Sequence, residues 1–449
     1  MPKIKFIDLF AGIGGLRLGL ENAFQQAGYE TECVLTSEIK PYAIKCLEHN
    51  FPKHILCGDV TKIDATSIQN FDFLLAGFPC QPFSASGKRH GFADTRGTLF
   101  FEVERILQVK RPYGFILENV EGLVKHDLEK KGDKIGRTLK TILHNLKELG
   151  YKVSWNIFNS EEFGVPQIRK RIFIIGTLNE YINVFGFERK RKILSEVLET
   201  GQTLTDTRLT KLLLKNFLMQ DLYGKSIKDK RGGDNNIHSW DIELKGSISK
   251  EQHLLLNKLF KERRKKKWAL QHGIEWMDGM PLTLQQIRSF FDRPNLQVLL
   301  DDLVAKNYIK FEHPKALVTE ITEMGIKKFR RQDTTLPKGY NIVSGKLSFG
   351  INKILNPNDV APTLVATDVS RMTVPDGIGL RKLTLREGLR ICGYPEWFEL
   401  PVSVEDGFDL LGNTVVVPVV AAIAERLVLS FNAYKPVAES FNSMPVCNL

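Results

Sequence analysis

The sequence predicts an α/β protein built on a doubly wound, mostly parallel sheet, interrupted by a smaller mixed domain. Three observations point there. Over residues 1–178 short apolar runs alternate with amphipathic stretches, the rhythm of strands linked by crossover helices. A glycine-rich turn joins the first strand to the first helix. Polar and nucleophilic residues stand at the ends of several strands, where open α/β sheets place their ligands.

The elements follow in order. Residues 4–9, 33–37, 73–76, 114–118 and 171–176 read as strands, and 41–50, 99–109 and 137–149 as helices. Between about 187 and 345 this rhythm gives way to Lys/Arg-rich helical patterns and loops such as DKRGGDNN at 229–236. Within that segment LTLQQIRSFF and NLQVLLDDLVAKNYIKFE, residues 282–312, read as two helices and a strand, a winged-helix-like order. After about 345 come β-like segments, then RKLTLREGLRICGYPEWF at 381–398 and the Val/Ala-rich VVVPVVAAIAERLVL at 415–429, which reads as a buried helix. The expected divisions are 1–180, 181–400 and 401–449.

A chain of 449 residues with 43 % hydrophobic content has enough material for two or three domains with substantial cores. The six cysteines are scattered, without a CxxC or a compact Cys/His cluster, so neither a disulfide framework nor a zinc site is expected. No leader pattern precedes the first strand and no apolar run approaches the roughly 18 residues of a membrane span, so a soluble protein that is not exported is expected. The net charge of +11 is concentrated: residues 187–345 hold about 30 Lys and Arg against about 20 Asp and Glu. Such a basic middle suggests a polyanionic partner, nucleic acid first. Its densest run is KERRKKKW at 261–268, either a solvated helix face or a phosphate contact.

FIDLFAGIGGLRLGL, residues 6–20, is a strand, a turn with Gly12, Gly14 and Gly15, and a helix start. Glycines there let backbone N–H groups approach a ligand. The third glycine of a dinucleotide fingerprint would fall at Arg17, which disfavours a nicotinamide. Glu38 ends the next strand, where an acid binds a ribose diol, and Asp59 in CGDV ends the third, where it can meet a purine. A nucleoside cofactor is the reading these positions favour.

GFPCQPFSASGKRHGF, residues 77–92, sets Cys80 between two prolines at the C-terminal end of the apolar run FDFLLAGF. Cys33, Cys46, Cys57 and Cys392 read as small buried hydrophobes; Cys80, entering a Gly/Ser-rich loop, reads as a nucleophile. A reactive thiolate needs a positive field, for which Lys88, Arg89, Arg169 and Arg171 are candidates. FILENVEGL at 115–123 ends a strand in Glu118 and Asn119, and GVPQIRKRIFIIG at 164–176 alternates Arg169 and Arg171 onto one face if extended.

DLFAGIGG, GFPCQPFS, ENV, QIRKR, RKLTLREGLRICGYP and LLGNTVVVP together resemble the C5-cytosine DNA methyltransferases of the bacterial modification type, in that family's order and at compatible spacings. The resemblance covers the first 178 residues and roughly the last 70. It implies a fold of the S-adenosylmethionine-dependent methyltransferase type, with 1–180 as catalytic and cofactor domain, 181–400 as target-recognition domain and 401–449 returning to the catalytic domain. It implies S-adenosylmethionine as methyl donor, S-adenosylhomocysteine as product, and no metal. Phe10, Gly12, Ile13, Glu38, Asp59, Val60, Pro79 and Leu99 are then cofactor-site residues, joined by Asn413, Thr414 and Val415, with the helix after LLGN packing beside the first strand. Cys80 corresponds to the nucleophile that adds to C6, Glu118 to the acid facing the base, Asn119 to a support of that loop, and Arg169 and Arg171 to groups holding the base and the loop. Ser86 and Arg96 fall in the loop over the DNA, and Lys265, Lys266 and Lys267 are the candidate phosphate contacts. Ile39 stands where a cofactor-stacking Trp is common.

The implied partner is double-stranded DNA, methylated by a monomer in the bacterial cytoplasm. A functionally paired restriction endonuclease would form no stable complex with it. Two other readings fit parts of the pattern: a tRNA cytosine methyltransferase on the same fold, and a catalytically silent DNA-binding regulator. The long basic middle argues against the first, and the full set of Cys80, Glu118 and both arginines against the second.

Overall fold

The computed structural model describes residues 1–52, 55–79, 99–130, 132–230, 233, 235–274, 279–322, 325–344 and 349–442. The chain divides into two compact units, the first made of Met1–Glu199, Asn356–Ser370 and Leu383–Leu449, the second of Thr200–Leu355 and Arg371–Lys382. Within the first unit, the Asn356–Ser370 segment is joined to residues 166–168 by a backbone exchange in which Ala361 N–H donates to Pro166 O and Ile168 N–H to Ala361 O, both at 2.8 Å.

The first unit is built on β1 (Lys3–Leu9), β2 (Glu30–Ser37), β3 (Leu56–Cys57), β4 (Phe73–Ala76), β5 (Gly114–Val120), β6 (Lys152–Asn159) and β7 (Lys170–Thr177), with crossover helices α1 (Gly15–Gln26), α2 (Pro41–Asn50), α3 (Leu99–Lys110) and α4 (Arg137–Glu148). The sheet order is β3-β2-β1-β4-β5-β7-β6, parallel except for β7, which runs antiparallel to both neighbours. The order reverses at β1, so the crevice where such sheets bind ligands opens beyond the C-terminal ends of β1, β2 and β4. Central strands are apolar on both faces because helices cover both. Phe6, Phe73, Ile116 and Phe173 pack on one side; Ile7, Leu74, Leu117 and Ile174 pack on the other against Val103 and Ile106 of α3 and Leu139 and Ile142 of α4. β6 escapes the sequence reading because it is an edge strand whose half-buried KVSWNIFN lacks a continuous apolar run.

The second unit contains α5 (Arg208–Asn216), β8 (Ser226–Ile227), β9 (Asn236–Ile237), α6 (Lys250–Glu262), α7 (Lys266–Leu270), α8 (Leu284–Arg288), α9 (Leu296–Ala305), β10 (Ile309–Glu312), β11 (Lys315–Thr322), β12 (Gly325–Gln332), β13 (Gly339–Ile342), β14 (Lys353–Ile354), β15 (Met372–Asp376) and β16 (Gly379–Lys382). It has two cores. One, with Leu213, Ile227, Ile354 and Leu380, belongs to the sheet β16-β15-β14-β8-β9 and α5. The other gathers Trp240, Leu255, Leu259, Leu300, Tyr308 and Ile342 from α6, α9, β10, β13 and their connections. Ser249 and Gln252 form a capping box that starts α6, satisfying two backbone donors. Residues 282–312 form two helices and a strand, and an isolated bridge from Leu282 to Tyr340 lies beside the β10–β13 pair.

The chain then returns to the first unit with α10 (Leu385–Ile391), α11 (Val404–Asn413) and α12 (Val417–Asn442). α12 and Val415 just before it lie on α1 at two glycines. A Cβ on Gly15 would stand 2.7 Å from Val415 Cγ2, and one on Gly19 2.4 Å from Val420 Cβ. Gly19→Val should therefore destabilise the protein by about 1–3 kcal/mol, the usual range for overpacking. Chemical denaturation checks this, and an unchanged midpoint and slope would show that the two helices tolerate separation. One expectation is corrected here: residues Val404–Tyr434 are long and apolar enough to cross a membrane by length and composition. In the fold, 67 % of the most apolar window is buried, with Glu425 on the exposed side, as for a helix that packs one face into a protein core.

Candidate active site

The crevice at the switch point is a cleft of about 540 Å³ in the first unit. Its floor is the turn after β1. Phe10, Gly12 and Gly14 adopt φ of 55°, 57° and 79°, so the chain reverses tightly and Gly14 caps α1 in the left-handed conformation. A Cβ on Gly12 would meet nothing within 4 Å, leaving its backbone open to a ligand. Glu38, at the end of β2, accepts from Gly12 N–H at 2.7 Å with one oxygen and from Ile39 and Lys40 N–H at 2.8 and 2.9 Å with the other. Its carboxylate is fixed in the cleft wall by three backbone donors.

Asp59, beyond β3, accepts from Thr61 N–H and Thr61 Oγ1, which hold its carboxyl below the usual range. Asp59, Val60, Pro79 and Leu99 line the cleft with Phe10, Gly12 and Glu38, and Asn413 and Thr414 join them from the far end of the chain. Two expected cofactor residues do not line it. Ile13 is 1 % exposed beneath the turn and Val415 packs against Gly15, so both support the floor from behind. Ile39, 69 % exposed, offers the cleft an apolar surface.

At the other end of the cleft, Glu118 lies in β5 with Arg171 of β7, whose Nε is 3.1 Å from Glu118 Oε1. Burial pushes the Glu118 carboxyl up, opposed by the charges of Arg171 and then Arg169. Asn119 Nδ2 donates to Phe78 O at 2.8 Å, fixing the chain two residues before Cys80. Cys80, Ser86 and Arg96 lie outside the described residues.

Arg169 is used differently from the expectation. It is buried, and its guanidinium donates to Leu364 O and Gly412 O at 3.1 Å and to Thr414 O at 2.6 Å. The side chain ties the Asn413–Thr414 turn to the start of β7, and its burial lowers its pKa to about 10. Lys265, Lys266 and Lys267 sit at the start of α7 in the second unit, all exposed; Lys265 pairs with Glu262, and Lys267 lies 4.1 Å from the Trp268 ring. Within the same run Arg263 is buried and donates to Asn341 Oδ1, so the basic run is not one solvated face.

Two site features were invisible in the sequence. Asp409 of α11 accepts from Lys40 Nζ at 3.1 Å and Tyr42 Oη at 2.7 Å, joining α2 to the C-terminal segment; partners so far apart leave no local signal. Asp8 of β1 is fully buried under the turn, with no hydrogen-bond partner for either carboxyl oxygen among the described residues. Burial pushes its pKa up to about 8. Its folded-state pKa is raised, so between about pH 4 and 8 the folded form holds a proton that the unfolded form has lost, and stability falls as pH rises, by at most about 1.4 kcal/mol per pH unit. Asp8→Asn should flatten that slope, as urea titrations at pH 5 and pH 8 would reveal.

The strand order, the reversed β7 and a cleft walled by one acid after β2 and another after β3 define a fold of the S-adenosylmethionine-dependent methyltransferase type. The family model described as C-5 cytosine-specific DNA methylase matches residues 4–429. The chain belongs to that family and is a DNA (cytosine-5)-methyltransferase. It is 55 % identical over 427 residues to the Type II methyltransferase M.NlaIV of Neisseria lactamica, covering 95 % of this chain and 99 % of the relative. It is 40 % identical over 473 residues, the whole of both chains, to M.BanI of Aneurinibacillus aneurinilyticus. Among solved structures, the S. pombe Dnmt2 methyltransferase superposes with a TM-score of 0.51 at 15 % identity, over 96 % of this chain and 99 % of that one, a likeness of fold.

Proposed function

We propose that the protein methylates C5 of a cytosine swung out of a specific duplex DNA word, as the modification enzyme of a Type II restriction–modification system. The observation that carries this reading is the placement of Glu118, half-buried and paired to Arg171, beside the Asn119 clamp on the strand end that leads into Cys80. S-adenosylmethionine, when bound, supplies an electrophilic methyl group. Glu38 and Asp59 suit its ribose and purine, Phe10 and Ile39 its apolar faces, and Asn413 and Thr414 close the site.

C5 of cytosine is too weak a nucleophile to take that methyl unaided. Cys80 adds as thiolate to C6, which builds enamine character at C5. Glu118, whose carboxyl burial pushes up, binds N3 either protonated or sharing a proton with the ring and stabilises the charge pushed into it; Arg171 orients it and faces O2. After transfer, solvent takes the C5 proton, and the C5–H bonding pair left behind forms the C5–C6 double bond and expels the Cys80 thiolate. Arg169 is a positioning residue for the Asn413–Thr414 turn. The base must leave the stack first, at a cost of a few kcal/mol offset by pocket contacts. The second unit recognises the word, with Lys265, Lys266 and Lys267 on phosphates and Ser86 and Arg96 in the loop over the DNA. The enzyme acts as a monomer on cytoplasmic DNA, with a paired endonuclease that forms no stable complex with it.

Labelled methyl transfer to duplex DNA, followed by sequencing of an expressing host's genome for 5-methylcytosine, tests this. One fully modified word is expected. A product destroyed by ribonuclease would overturn the choice of substrate.

A further inference from the structure

The second unit holds a strand pair that the proposed function leaves unused. β11 and β12 face each other through eight consecutive register pairs, from Lys315 opposite Gln332 to Thr322 opposite Gly325, without a shift. Among the described residues neither strand pairs with any other, and none of their described side chains belongs to a buried core. At about 3.4 Å per residue the ribbon is on the order of 27 Å long. A two-stranded ribbon alone is marginal in water, so one this long without a core beneath it is suited to lie against a partner.

The charges identify the partner. Directly paired residues share a face, so Lys315 and Leu317 stand on one face with Gln332 and Arg330, and Thr319 continues it. Among the described side chains that face has two basic groups and no acid. Leu317, Thr319, Arg330 and Gln332 are exposed on it, whereas on the other face Ala316, Val318 and Phe329 are half-buried and exposed Glu320 and Arg331 carry opposite charges. α9, the helix before the ribbon, has the wrong charge for a polyanion: it exposes Gln297, Val298 and Asp301 and contains no Lys or Arg. The major groove of B-form DNA, about 12 Å wide, admits a two-stranded ribbon as well as a helix.

We propose that the β11–β12 ribbon enters the major groove of the target duplex through its Lys315–Leu317–Arg330 face, and that α9 stays outside it. This rests on duplex DNA being the substrate. Lys315 and Arg330 reach phosphates and guanine edges, and Leu317 supplies an apolar surface for a thymine methyl.

The test measures affinity for a duplex carrying the word found methylated in an expressing host, and for a shuffled duplex, at several salt concentrations. The Lys315→Gln/Arg330→Gln protein should bind the word about 10- to 100-fold more weakly, lose less on the shuffled duplex, and show a shallower salt slope, by roughly 0.9 for each phosphate it no longer neutralises. Arg331→Gln, which removes a charge from the opposite face, should leave the ratio between the two duplexes unchanged. S-adenosylmethionine binding by calorimetry confirms that each variant is folded. Equal losses on both duplexes, or none, would overturn the groove assignment. A wild type that methylates RNA and ignores the duplex would instead overturn the functional reading itself.

Discussion

A Cys80→Ser protein should transfer methyl groups to DNA slower by something on the order of 10⁴-fold or more, the scale seen when an enzyme's nucleophile is removed. Its affinity for duplex DNA should change little, because a thiol contributes nothing to phosphate binding. The companion experiment uses a duplex with 5-fluorocytosine at the target. Fluorine cannot leave C5 as a proton does, so the wild type should remain covalently attached in the presence of S-adenosylmethionine, and Cys80→Ser should not. If peptide mapping placed the adduct on another residue, or found none, the covalent route through Cys80 would be wrong.

The second large effect belongs to Glu118. Its burial favours the protonated form and Arg171 holds it in place, so the carboxyl is both donor and fixed point. Glu118→Gln keeps the volume but cannot give up or share a proton, and it should lower single-turnover methyl transfer by about 10²- to 10⁴-fold. Cofactor affinity should be nearly unaltered. The pH profile carries the sign: the active form is the protonated acid, so the wild-type rate should fall as pH rises through the raised pKa, and Glu118→Gln should lose that limb. A variant with the wild-type profile would assign the titration to another group.

Much of this architecture was legible in the sequence because its determinants are local. Apolar runs marked the central strands, and the order Gly12, Gly14, Gly15 marked the turn that those positive φ values require. Glu38, Asp59 and Glu118 were legible because strand ends are where open sheets present side chains. What stayed hidden depends on distant partners. Arg169 looked like a base-holding cation because one face of an extended segment presents it with Arg171, but three backbone carbonyls from residues 364, 412 and 414 claim its guanidinium. Arg263 looked like one more cation in a solvated run until Asn341 drew it inside. Asp8 gave no signal, since a carboxyl in a strand usually faces water.

The packing of α12 against α1 gives the enzyme a built-in order of events during synthesis. Gly15 and Gly19 lie near the start of the chain, while the residues that fill the space beside them, Val415 and Val420, are made near its end. At about 5–20 residues per second, tens of seconds separate the two on a bacterial ribosome. Throughout that interval the nascent chain carries the glycine turn and Glu38 without Asn413, Thr414 or the helix that braces them. A prematurely terminated chain therefore has an unbraced hydrophobic face in place of a finished cleft.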